Sequence, residues 1–91
     1  GYEAIVKLLL EKGADVNARG GFYGDDALYA ASFGGHEAIV KLLLESGANA
    51  NALGGQCNNV LSAASSQGHE PIVKLLLENG ADVNARGEYY W

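Results

Sequence analysis

Apolar residues along this chain come in triplets broken by single charges. Ala38-Ile39-Val40 and Leu42-Leu43-Leu44 lie between Glu37, Lys41 and Glu45, so polar positions fall at i, i+4 and i+8. That spacing predicts a helix over 37–45 with one narrow polar stripe, a helix covered on most of its sides. Val40, Leu43 and Leu44 are its expected buried positions. Glu3/Lys7/Glu11 and Glu70/Lys74/Glu78 repeat the stripe. The whole segment recurs: Gly1–Leu10 returns as Gly35–Leu44, 34 residues on, and again as Gly68–Leu77, 33 further on. A period of this size denotes a stack of like supersecondary units.

Each copy continues in the same way. Gly13, Gly47 and Gly80 follow the long helix and suit a left-handed closing turn. Pro71 stands where the middle copy has Ala38, in the first turn, where a missing N–H is tolerated. Next come Ala14-Asp15-Val16-Asn17-Ala18, Ala48-Asn49-Ala50-Asn51-Ala52 and Ala81-Asp82-Val83-Asn84-Ala85. The Asp and Asn side chains there favour turns through local bonds to the backbone. The glycine pairs Gly20-Gly21 and Gly54-Gly55 then mark the tip of an extended finger. A short second helix follows, over 26–33 or 59–66, with Asp26 and Asn59 as N-caps. Ala27, Leu28, Ala31 and Ser32 share one face of it, while Tyr29 and Phe33 point another way.

Gly35-His36 with Ile39-Val40 and Leu43-Leu44, then Gly47-Ala48, and the Asp15-Val16-Asn17-Ala18 run carry a resemblance to the ankyrin repeat. The resemblance covers the whole chain. The long-helix half matches strongly. In the short-helix half, Asp26-Ala27-Leu28-Tyr29 and Asn59-Val60-Leu61-Ser62 stand in place of the family's Thr-Pro-Leu-His. The Gly-rich tips followed by Ala-Ala-Ser are similar to the self-similar ankyrin arrays of fungal NACHT-type receptors. The resemblance implies an all-α fold: a solenoid of stacked antiparallel helix pairs with projecting β-turn fingers. It divides the single array into units 1–34, 35–67 and 68–91. It also implies a leading outer helix without an inner one, and a last finger, with Tyr89, Tyr90 and Trp91, without a following helix. Stacking one chain's tail on another's head is therefore expected.

The formal charge of −5 and the scattering of six Lys and Arg argue against nucleic acid or an anionic membrane as partner. No apolar stretch approaches the ~18 residues of a membrane span. Cys57 is the only cysteine, which excludes an internal disulfide and suits an intracellular, cytoplasmic setting. Cys57 is expected at a finger tip. His36 and His69 repeat at one place in the unit and read as turn residues bonding the neighbouring loop. No metal or cofactor motif is present in the sequence, and Asp25-Asp26 reads as a helix cap rather than a catalytic pair. No enzyme is expected.

The copies differ at the tips and along one side of the short helices. Phe22, Tyr23, Asp25 and Asp26 stand against Gln56 and Asn58, and Tyr29 and Phe33 against Ser62 and Ser66. Two aromatics replaced by two serines cannot share one packing role, so this side is expected to face solvent along the concave surface. Neutral drift is the competing explanation. Seven of the eight aromatics, Tyr89 and Tyr90 among them, lie on these tips and faces, and aromatic side chains dominate protein-binding hot spots. The expected function is a non-catalytic protein–protein interaction module using those residues. The alternative is a structural spacer that stacks end to end.

Overall fold

A computed structural model describes residues 2–20, 25–51 and 59–84. Five helices are present among them: α1 Tyr2–Glu11, α2 Ala27–Gly34, α3 Glu37–Glu45, α4 Val60–Ser66 and α5 Glu70–Glu78. β1 Arg19–Gly20 and β2 Asp25–Asp26 pair antiparallel, Arg19 opposite Asp26 and Gly20 opposite Asp25, and form the base of the first finger. The helices make two rows. The outer row runs α1, α3, α5, each packed on the next, and α2 and α4 pack together as the inner row. Short turns join α2 to α3 and α4 to α5 as packed hairpins.

The apolar triplets explain the core. Val40 and Leu43 of α3 are buried, as are Ile72 and Leu76 of α5, together with Leu28, Ala31, Val60, Leu61 and Ala64 of the inner row. Leu44, expected to be buried, is half-buried. It lies at the edge of the packed face, near the polar stripe. The predicted helix over 37–45 matches α3 in both bounds. The short helices begin one residue later than expected, because Asp26 closes β2 and Asn59 caps α4 from outside.

Helix ends are closed as the glycines require. The Gly47 N–H bonds the Leu44 carbonyl at 3.2 Å and the Ala48 N–H bonds the Leu43 carbonyl at 3.0 Å. This is a Schellman turn, and it holds Gly47 at φ +98°. Gly13 and Gly80 repeat it. Pro71 sits in the first turn of α5.

Candidate protein-binding face

The inner row positions the sequence-predicted surface. On α2 the residues Leu28, Ala31 and Ser32 of the predicted face turn into the core, whereas Ala27, expected with them, is exposed at the start of the helix. Phe33 is 49 % exposed on another side. Tyr29, one turn earlier, is half-buried and packs against the core rather than standing free in solvent. On α4, Ser66 is exposed and its hydroxyl donates to the Ala63 carbonyl at 3.1 Å. Ser62 departs from expectation: only 6 % of it is exposed. Val60, Leu61, Ser62, Ala63 and Ala64 are all buried, so the first turns of α4 are covered on every side and have no solvent face. The volume change from Tyr29 to Ser62 therefore reflects different packing in two repeats, not shared exposure. Asn59 caps this buried end, accepting from the Ser62 N–H at 2.7 Å, as expected.

Asp25 and Asp26 lie in β2, beside α2. Phe22, Tyr23, Gln56, Cys57, Asn58, Tyr89 and Tyr90 fall outside the described residues.

Two networks register the repeats beneath this face. His69 Nε2 lies 3.1 Å from the carbonyl of Phe33, in the last turn of α2, so this turn histidine bonds the neighbouring repeat as expected, while the His36 side chain makes no such bond among the described residues. A carbonyl only accepts, so Nε2 carries the proton. The second network lies at the finger bases and was not legible as such. Asn17 donates from Nδ2 to the Gly47 carbonyl at 3.2 Å and accepts from the Asn49 N–H at 2.8 Å. Asn51 repeats both bonds to Gly80 and Asp82, at 3.1 and 2.8 Å. The intervening Asp15, Asn49 and Asp82 make the local turns, each accepting from an N–H two residues on.

Away from this face, the outer stripe is solvated. The Lys74–Glu70 pair is 3.5 Å apart with both side chains largely exposed, so it adds little stability. Among the described residues no group of three His, Cys, Asp or Glu could hold a metal ion. No helix of the described residues is long and apolar enough to cross a membrane.

These features define a helical repeat protein: a two-row solenoid whose loops are laddered by amide side chains. The family model for ankyrin repeats, in three copies, matches residues 1–87. The chain belongs to the ankyrin-repeat family, whose members generally act as protein–protein interaction modules rather than as catalysts. Among curated proteins, none matches the chain.

Proposed function

We propose that this chain is a non-catalytic module that binds a protein partner through its finger tips and the exposed side of its inner helices. The observation that carries the reading is Phe33. Half of a large aromatic side chain lies in solvent while its own carbonyl is tied to His69 of the next repeat. A ring on a fixed backbone anchors a partner at low entropic cost. Tyr29 supports it from the same helix, and Ser66 supplies a polar edge. Phe22, Tyr23, Asp25, Asp26, Gln56, Asn58, Tyr89 and Tyr90 complete the surface in this reading, with the two aspartates steering a basic or polar target. Affinity capture with the wild-type chain, beside Phe33→Ala and a Lys41→Glu control on the outer stripe, tests it. A protein retained by the wild type and the control but lost with Phe33→Ala supports the reading. Capture that depends on Lys41 and not on Phe33 refutes it.

A further inference from the structure

Charge is divided unevenly between the two rows of helices. α1, α3 and α5 each carry Glu, Lys and Glu, so Lys7, Lys41 and Lys74 all lie on the outer row. α2 and α4 carry no charged residue. The segment that leads into α2 is acidic. Residues 15–26 hold Asp15, Asp25 and Asp26 against Arg19, three acids to one base. β2, with Asp25 and Asp26, runs directly into α2 and lies beside it. A partner on the inner row therefore meets acids at the finger end of α2 and no lysine along the helix.

Phe33 stands at the other end of the same helix. Its position is exposed in both inner helices, as Phe33 in α2 and as Ser66 in α4. The inner-row neighbour of α2 follows it, whereas that of α4 precedes it. The exposure of this position thus does not depend on which side a neighbour packs. The Phe33 carbonyl is fixed by His69, at 3.1 Å. From position 27 to position 33 a helix rises about 9 Å, at ~1.5 Å per residue. An extended chain, at ~3.3 Å per residue, covers that distance in about three residues.

We propose, resting on the reading of this side as the binding face, that the partner presents an extended, basic peptide segment running along α2. A large apolar side chain of that segment seats on Phe33, and a Lys or Arg about three or four residues away meets the Asp25–Asp26 end. The ring supplies the anchor, since aromatic side chains dominate binding hot spots. The carboxylates supply the sign: a basic segment is drawn in and an acidic one is repelled. The uncharged surface of α2 between them offers no competing ion to the incoming cation.

Selection of a random peptide library on the immobilised chain, followed by titration of synthetic copies of the enriched peptides, tests this. The enriched peptides are expected to share an aromatic or aliphatic residue and a Lys or Arg about three or four positions apart. Asp25→Asn with Asp26→Asn, which keeps a residue able to cap α2, weakens their binding about three- to tenfold and removes most of its salt dependence. Glu37→Gln with Glu45→Gln, the same change of charge on the outer row, leaves binding unchanged. Phe33→Ala weakens it about tenfold or more and leaves the salt dependence in place. Enriched peptides that need Phe33 but are acidic or lack the cation overturn the basic class and leave the binding face standing. So does binding indifferent to the aspartate pair, or weakened equally by the outer pair. Failure of any peptide to enrich overturns the proposal, and binding indifferent to Phe33→Ala overturns the proposal and the binding face together.

Discussion

The imidazole of His69 lies over Gly35, one repeat away, while its Nε2 donates to the Phe33 carbonyl at 3.1 Å. A Cβ added to Gly35 would stand 2.7 Å from His69 Cε1. Gly35 also holds φ at +78°, where an L side chain is strained. One position thus carries both a backbone demand and a close approach. Gly68 has the same backbone, φ +73°, but open space above it.

This pair predicts a stability cycle. Gly68→Ala should cost about 1–2 kcal/mol from backbone strain alone. Gly35→Ala should cost roughly 1 kcal/mol more, because the ring must move and give up its bond to Phe33. In a His69→Ala background the two alanine substitutions should become equal. Urea unfolding of the five variants reads this directly, and a Gly35→Ala penalty unchanged by His69→Ala would contradict it.

The amide ladder predicts a contrast between chemically identical changes. Asn51→Ala removes two inter-repeat bonds and should lower stability by about 1–3 kcal/mol. Asn84→Ala in the dilute chain removes none of the described bonds and should change stability by less than about 0.5 kcal/mol. Equal losses in thermal unfolding would show that the ladder does not hold the repeats in register.

Ser32 is fully buried and its hydroxyl has no hydrogen-bond partner among the described residues. A desolvated, unpaired hydroxyl is destabilising by about 1–3 kcal/mol. Ser32→Ala should therefore leave stability unchanged or raise it, with helical circular dichroism preserved. A loss above about 1 kcal/mol would mean that the hydroxyl makes a bond in solution.

Much of this architecture was legible because charge spacing and repetition report burial directly. The Glu37/Lys41/Glu45 stripe bounded α3 to the residue. Gly47 and Asn59 announced a turn and a cap whose chemistry few other residues supply. Ser62 departs from the expected exposure because a side-chain volume difference between copies does not by itself report exposure: α4 is enclosed by both neighbouring helices. The ladder is hidden in the sequence because Asp and Asn at these positions serve local turns equally well. The signal was present in the repeats: positions 17, 51 and 84 are always Asn, while 15, 49 and 82 read Asp, Asn, Asp. A position that must both donate and accept needs an amide, and one that only accepts tolerates a carboxylate. The tip residues carry no period or cap chemistry, so the sequence marks them only by their difference between copies.

The central claim is that partners are met on the inner-row and finger side, with Phe33 as anchor. Hydrogen–deuterium exchange on the chain with a captured partner, compared with the chain alone, tests it most directly. The account predicts slowed exchange over 27–34 and at the finger bases, with peptides over 37–45 and 70–78 unchanged. Protection confined to those outer helices, with 27–34 unaltered, would contradict it.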